Sequence, residues 1–179
     1  MLPRLATPRR DVARVPRVTD VVVRPAVPDD AEALGRCHLA CWREAYADLV
    51  DPACLAPFLA DVDGFVERWR GRLDGTWPVR VADAGGALVG LASVRPASGE
   101  AVAHLNALYV RREHWSTGLG QRLLDSVLGD APATLRVFRD NARARRFYAR
   151  NTFVPDGTEH EEPRLGGPEI GMVRPAPYA

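Results

Sequence analysis

The 179-residue chain has the bulk properties of one ordinary globular domain. Hydrophobic residues make up 46% and charged residues 26%, and this length is enough for a single well-buried core. The net charge of +1 gives no sign of a nucleic acid or an anionic membrane as partner. All 24 basic residues are arginine, which excludes a mechanism that depends on a lysine nucleophile.

The cysteines argue against disulfides and against a metal site. Three cysteines in a short span form no disulfide framework and favour a reducing compartment. Cys37, His38 and Cys41 resemble part of a zinc site, but no second ligand pair follows at zinc spacing, so we expect no metal.

The sequence has neither a signal-peptide core nor an apolar run near the ~20 residues of a membrane span. We therefore expect a cytoplasmic protein without a membrane partner.

The first half of the chain predicts one strand and two helices. Residues 1–19 carry five arginines and three prolines without periodicity, so we expect a flexible basic tail. A β-branched run predicts a strand over 20–26, and apolar residues at helical spacing predict helices over 29–47 and 64–73. Pro52 and Pro57 interrupt the stretch between these helices, where no element is predicted.

The second half has strand periodicity interrupted by two helices. Period-two patterns and turn residues predict strands over 79–83, 86–95, 101–110 and 133–140, with short strands near 152–155 and 168–174. Helical spacing predicts helices over 118–129 and 141–150. The order indicates an α/β fold in which about four helices flank one mixed sheet of about seven strands, with a βαβ unit over 101–140. We expect one domain over 20–175 and a C-terminal tail over 176–179.

The segment "STGLGQRLL" places two glycines where a strand gives way to a helix. The first N–H groups of a helix lack intrahelical partners, and Gly118 and Gly120 remove the side chains that would keep a phosphate away. Ser116 and Thr117 add hydroxyl donors. The segment lacks the Walker and dinucleotide-binding patterns. Taken alone, it is equally well explained as a tight helix entry.

The following helix presents residues that can meet a ligand on these glycines. Asn141, Ala144 and Tyr148 lie at i, i+3 and i+7, hence on one face. A ligand between the two parallel strands would require them to diverge.

Two segments carry a family resemblance. "LNALYVRREHWSTGLGQRLL" and "NARARRFYARNTFVPDG" resemble, in order and spacing, the GCN5-related N-acetyltransferases (GNAT), which depend on acetyl-CoA. The resemblance spans about residues 20–175, and "VVRPAVPDDAEAL" and "ACWREAYADLV" are similar to openings of bacterial members. It implies the GNAT fold, in which a splayed parallel pair lies at the centre of a mostly antiparallel sheet.

The resemblance also implies roles for particular residues. Leu108, Tyr109 and Val110 would hold the pantetheine and thioester of acetyl-CoA through backbone groups. Asn141 would bond the pantetheine arm or a water on it, and Tyr148 would lie near the sulfur. The pyrophosphate would be wrapped by Ser116, Thr117, Gly118, Leu119, Gly120 and Gln121.

Two positions depart from the family pattern. Trp115 stands where a Gln or Arg is usual, so the corresponding phosphate contact must come from elsewhere, with Arg111, Arg112 and Arg122 as candidates. Thr152 stands where a glycine is usual before the phenylalanine.

The implied reaction is direct acetyl transfer from the thioester to a primary amine through a tetrahedral intermediate. Tyr148 is the candidate acid for the leaving thiolate, because a phenol can hydrogen-bond to it. His104 is the candidate base, since it titrates near neutrality and lies four residues before Leu108, which predicts a shared face. Glu44 and Glu159 are alternatives. We expect His114 and His160 in surface loops.

The acceptor is expected to be a small-molecule or peptide amine, and a homodimer is left open. Trp42 and Tyr46, one helical turn apart, would wall the acceptor groove. Residues 156–169 would form its other rim, with an acidic bias that suits a cationic amine. An acyl-CoA-binding regulatory module without turnover and an unrelated phosphate-binding fold are the alternative interpretations.

Overall fold

The computed structural model describes residues 20–99, 101–162 and 165–176. Within them, seven strands form one sheet in the order β1-β2-β3-β4-β5-β7-β6. The strands are β1 (Val22–Pro25), β2 (Val79–Asp83), β3 (Leu88–Arg95), β4 (Ala103–Val110), β5 (Ala133–Phe138), β6 (Val154–Glu161) and β7 (Pro168–Arg174). The helices are α1 (Ala31–Tyr46), α2 (Pro52–Ala60), α3 (Val62–Arg72), α4 (Leu119–Leu128) and α5 (Ala142–Arg150).

The predicted fold class is confirmed. Every strand pair is antiparallel except β4–β5, which is parallel and central. The tail predicted over 1–19 lies outside the described residues.

Helix α2 was not predicted, so the described residues contain five α-helices where about four were expected. Pro52 lies at the start of α2, where a missing N–H costs nothing. The Asp51 carboxylate accepts from the Ala53 N–H at 2.8 Å and caps the helix. Pro57 lies inside the helix, and the buried Leu55 anchors α2 to the protein. Pro52 therefore marks the start of α2 and not a break in the structure.

Strand β6 is longer than predicted, and much of the expected 156–169 loop belongs to the β6–β7 hairpin. Seven of the eight residues of β6 are exposed. An edge strand that is open on both faces buries no apolar row, so it shows no alternating pattern.

The helices cover the two faces of the sheet. On the face that we call the α1 face, α1 and α3 pack Leu34 and Trp69 against Leu91. On the opposite α4 face, Leu124 of α4 packs with Leu105 of β4, in a cluster that also holds Tyr148 of α5. Each face therefore has its own buried core.

Strands β4 and β5 diverge towards their C-terminal ends. They pair only at Ala103–Ala133, His104–Thr134 and Leu105–Leu135, although β3 follows β4 as far as Val110 and β7 follows β5 as far as Phe138. The register between β3 and β4 shifts between Ala107 and Leu105, which leaves Asn106 as an extra residue in β4. A bulge of this kind bends its strand and increases the local twist. The result is a wedge-shaped gap at the centre of the sheet.

Candidate active site

Aromatic side chains line the α1 side of the gap. The hydroxyl oxygens of Tyr46 and Tyr109 are 2.8 Å apart and share a hydrogen bond. The Tyr46 ring meets Trp42 edge-on at 5.5 Å and Phe138 at 5.2 Å between centroids. Burial raises the pKa of Tyr109 to about 12 and that of Tyr46 as well. The structure thus brings the two expected acceptor-groove residues, Trp42 and Tyr46, together with the end of β4.

The backbone of β4 alternates between β3 and the gap. The Arg111 N–H donates to the Val89 carbonyl at 2.9 Å, so the alternation of an antiparallel pair directs the Tyr109 backbone groups to β3 as well. The backbone groups of Leu108 and Val110 then point into the gap. This part of β4 can therefore bind an extended ligand arm as an added strand would.

We call residues 116–121 the glycine loop, and this loop borders open space. Gly118 has φ +88° immediately before α4, a backbone conformation that favours glycine. A Cβ added at Gly118 would have no described atom within 4 Å, and one at Gly120 would meet only ordinary contacts, from 3.5 Å to the Phe147 ring. Packing among the described residues does not require the absence of a side chain at either glycine. The loop therefore fits a bulky anion approaching the free N–H groups of α4.

The side chains of the loop are mostly engaged within the protein. The Thr117 hydroxyl donates to the His114 carbonyl at 2.6 Å, and Leu119 is fully buried. The Gln121 amide donates to Asp125 and Asn151 at 2.8 and 2.7 Å, which ties α4 to the end of α5. Thr117, Leu119 and Gln121 would therefore contribute to anion binding through their backbone N–H groups. Ser116 is exposed and has φ +61°.

Trp115 fastens the loop to the end of β4. Its indole N–H donates to the Val110 carbonyl at 2.7 Å. The Arg143 guanidinium lies over the indole ring at 3.6 Å from the centroid, and that of Arg112 lies at 5.2 Å. Trp115 thus contacts two cations beside the loop.

The three arginines proposed to replace the missing phosphate contact are bound elsewhere. Arg111 forms an ion pair with Glu44 at 2.9 Å, and Arg112 donates to the Glu44 carbonyl at 2.8 Å. Arg122 donates to the Val21 carbonyl at 2.8 Å. Glu44 also accepts from the Arg112 backbone N–H at 2.6 Å, so it clamps α1 to the residues after β4 and is poorly placed to act as a base.

Arg143 was missed by the sequence reasoning. It is near Trp115, and partial burial lowers its pKa. No described carboxylate opposes this decrease. Four arginines lie on α5, and the sequence pattern contains no signal that distinguishes one from another. Only the packing of α5 against the loop singles out Arg143.

Asn141 caps α5 and keeps its amide N–H₂ available. It is buried, and its side-chain oxygen accepts from the Ala144 N–H at 3.0 Å. Within the described residues, the amide nitrogen makes no hydrogen bond. It can therefore donate to a carbonyl in the gap.

Tyr148 is buried on α5, between Phe147 and Phe153. Burial, followed by the neighbouring Tyr109, raises the pKa of its phenol, and Arg143 opposes the rise. No described residue forms a hydrogen bond with its hydroxyl. The group is therefore a protonated donor at neutral pH and has no partner within the described part of the chain.

His104 lies on the α1 face, so the prediction that it shares the face of Leu108 is wrong. The extra residue Asn106 reverses the alternation between them, and His104 pairs with Arg95 and Thr134. One ring nitrogen bonds the Thr134 hydroxyl at 2.9 Å. Burial, then Arg95 and Arg136, lowers the pKa of His104, which keeps it neutral. Thr134 precedes Phe138 by four residues, about 13 Å along a strand, so His104 lies away from the aromatic cluster.

The remaining expectations for acids and histidines are mostly corrected. Glu159 forms an exposed ion pair with Arg139 at 2.9 Å. His160 lies on β6, not in a loop. His114 is buried, because a 3-10 turn over Arg112–His114 folds it inward.

Glu169 is a carboxylate that the sequence reasoning missed. It lies on β7, directly opposite Phe138, and hence on the α1 face. Burial, then Glu162, raises its pKa, while Arg136 opposes the rise. Its carboxylate makes no hydrogen bond within the described residues. In the sequence it is one polar residue of an ordinary strand, and only the strand order places it beside the gap.

In the described ranges, no group of three or more His, Cys, Asp and Glu side chains is arranged to hold a metal ion. Over the same ranges, no helix is long and apolar enough to cross a membrane.

The splayed parallel pair and the glycine loop define an acetyltransferase fold. The sequence model of the Acetyltransferase (GNAT) family matches residues 34–153. The chain therefore belongs to the GNAT acetyltransferase family, as its sequence motifs predicted.

One relative is similar in sequence, and two solved structures share the fold. A Mycobacterium tuberculosis protein named Probable N-acetyltransferase Rv2775 is 27% identical, over 89% of this chain and 97% of its own length. The structure of PaiA N-acetyltransferase from Thermoplasma acidophilum in complex with coenzyme A matches with a TM-score of 0.66 at 18% identity, over 86% of this chain and 98% of that one. The structure of YncA from Salmonella typhimurium with acetyl-CoA matches with a TM-score of 0.63 at 18% identity, over 89% and 98%.

Proposed function

We propose that the protein transfers the acetyl group of acetyl-CoA to a primary amine. One observation carries the proposal: β4 and β5 separate beyond Leu105 and Leu135, at the end of β4 from which the chain continues to the glycine loop. The interaction of Tyr148 on α5 with Tyr109 on β4 supports it. A phosphate-bearing thioester needs this combination of an anion site, an extended slot and a proton donor at the sulfur. The proposal places the protein in the cytoplasm, where acetyl-CoA is available.

The donor substrate would be held mainly by backbone groups. The N–H groups at the start of α4 would bind the pyrophosphate. The amides of the pantetheine arm would pair with the backbone groups of Leu108 and with the N–H of Val110, whose carbonyl already accepts from Trp115. The amide of Asn141 would donate to that arm from the other side of the gap. Hydrogen bonds and charge are sufficient to hold the donor substrate at both ends of this site.

The chemistry would be a direct displacement. The neutral amine attacks the thioester carbonyl carbon, and the C–S bond of the resulting tetrahedral intermediate breaks. A backbone N–H in the gap stabilises the oxyanion. The Tyr148 phenol donates its proton to the departing thiolate and regains a proton from solvent, which balances the proton that the base takes from the amine. The high pKa of Tyr148 keeps this donor protonated throughout the physiological range.

The acceptor would approach on the α1 face. We propose His104 as the base, because it is neutral and lies on that face; since Phe138 is about 13 Å further along the sheet, the amine proton would reach it through a chain of water molecules. Glu169 would attract a cationic amine to the same face, next to Phe138. A small-molecule amine and a peptide amine both meet these requirements.

A binding module without turnover is the second candidate function. Tyr46, Phe138 and Leu165 are all buried in one cluster on the acceptor side. This packing favours a site that admits acetyl-CoA but no acceptor. The two candidate functions make the same prediction for binding and different ones for thiol release.

The test combines a thermal melt with a thiol-release assay. Acetyl-CoA should raise the melting temperature, as any ligand of the folded state does, and a panel of amines should reveal one that releases free CoA thiol above the rate without amine. Stabilisation without release for any amine would favour the binding module. The absence of both effects would refute acetyl-CoA binding itself.

A further inference from the structure

Arg143 is an arginine beside the glycine loop whose charge has no carboxylate partner in the described part of the chain. Its guanidinium stacks on the Trp115 indole at 3.6 Å, and it forms no salt bridge within the described residues. Arg111, by contrast, is neutralised by Glu44. Arg143 remains exposed, so an anion that approaches the glycine loop from solvent can reach its guanidinium and supply the missing counter-charge.

The position of Arg143 also suits an anion on the loop. Trp115 immediately precedes Ser116 of the loop, and its indole N–H anchors it to the end of β4 at the Val110 carbonyl. Stacking holds the guanidinium plane against the ring and leaves its edge N–H groups free to donate. That fork matches two oxygens of a phosphate group.

We propose that Arg143, held by Trp115, supplies the cationic contact to the pyrophosphate of acetyl-CoA. The pair takes over the task that a Gln or Arg at position 115 performs in similar proteins: Trp115 orients the cation and Arg143 makes the contact. This inference rests on the proposed binding of acetyl-CoA. It assigns a binding residue on α5, the helix that also carries Tyr148, so the donor substrate links the loop to the helix with the proton donor.

The test compares two thioester donors. Acetyl-CoA contains the pyrophosphate, and S-acetylpantetheine has the same thioester and arm without any phosphate. In the Arg143→Gln protein, the KM for acetyl-CoA should rise about 10- to 100-fold, the loss expected for a charged hydrogen bond, with kcat within about twofold. The kcat/KM for S-acetylpantetheine should not change.

Arg146→Gln is the matched control, because Arg146 is as exposed as Arg143 and lies about one turn further along the same helix, but only Arg143 lies over the Trp115 ring. It should leave both donors unaffected. Arg143→Lys keeps the charge but not the planar fork, so it should give an intermediate KM for acetyl-CoA. The Trp115→Arg change should restore part of the affinity when it is added to Arg143→Gln, because it returns a guanidinium to the loop.

The outcomes separate the inference from the proposed function. Equal losses with both donors would mean that Arg143 only supports the fold of the site, and no loss with either would mean that it makes no contact; both results overturn the inference. Calorimetric titration of CoA and pantetheine makes the same comparison without turnover. If CoA does not bind the unmodified protein, the proposed function fails first.

Discussion

The hydroxyl of Tyr148 offers a direct way to separate catalysis from stability. Tyr148→Phe removes one oxygen from a buried side chain that forms no hydrogen bond within the described residues. The folded protein therefore loses no hydrogen bond between described residues, and the free energy of unfolding should change by less than about 0.5 kcal/mol.

The kcat of Tyr148→Phe, by contrast, should fall sharply. Loss of a general acid costs about 10²- to 10⁴-fold in kcat, which corresponds to about 2.7–5.4 kcal/mol of transition-state stabilisation. The KM for acetyl-CoA should change little, because the hydroxyl acts on the leaving sulfur only as charge develops there.

Tyr46→Phe is the matched control. It removes the same atom, but the Tyr46 hydroxyl shares a 2.8 Å hydrogen bond with Tyr109. Its loss leaves the buried Tyr109 hydroxyl without that partner, at a cost of about 1–3 kcal/mol in stability.

The assays are thiol release from acetyl-CoA and urea unfolding of both variants. Tyr148→Phe with unchanged kcat would refute the proton-donor role. Tyr148→Phe with a large loss of stability would refute the inference that its hydroxyl has no partner in the free protein.

Three further predictions concern the fold and the loop. Thr152 has φ +63°, so Thr152→Gly should raise the free energy of unfolding by about 1 kcal/mol; a less stable variant in urea would contradict this. His38 is buried with its pKa lowered from 6.5 to about 3. Its contribution to stability is therefore complete above pH 6.5 and is lost as the pH falls towards 3, at ~1.4 kcal/mol per pH unit. His38→Gln keeps an acceptor for the Trp69 indole. Between about pH 6 and 4, the free energy of unfolding of this variant should depend less on pH, by ~1.4 kcal/mol per pH unit. The same pH dependence in both proteins would contradict the role of His38. Gly118→Ala should cost about 1–2 kcal/mol through its positive φ and weaken acetyl-CoA binding, whereas Gly71→Ala, in α3 with open space around it, should stabilise the protein by up to about 1 kcal/mol. Equal melting temperatures for these two variants would contradict the strain argument.

Local sequence patterns were sufficient for most of the fold. Helix α4 was predicted over 118–129 and is observed over Leu119–Leu128, because leucines at helical spacing mark its buried side. The hairpin β2–β3 and the strands of the βαβ unit followed from alternation in the same way. The patterns did not predict α2, whose prolines suggested a break, or the full β6, which buries no apolar row.

In the candidate site, some residues could be identified from the sequence and others only from the structure. The loop of glycines, Asn141 and Tyr148 could be identified because each motif is continuous in the chain. The face of His104 could not, because one extra residue in β4 reverses the alternation and becomes visible only against β3. The ion pair of Arg111 with Glu44 and the stacking of Arg143 on Trp115 depend on residues far away in the chain.

The sequence by itself determined the family, the glycine loop and the order of the elements, since these depend on neighbouring residues and on backbone preferences. Only the tertiary structure decided which charges are already neutralised and which remain available to a ligand. Pairing between charges depends on distance in space, and the contact of Glu44 with Arg111 spans 67 positions. The same reason explains why Glu169 is found beside the gap only once β7 is placed next to β5.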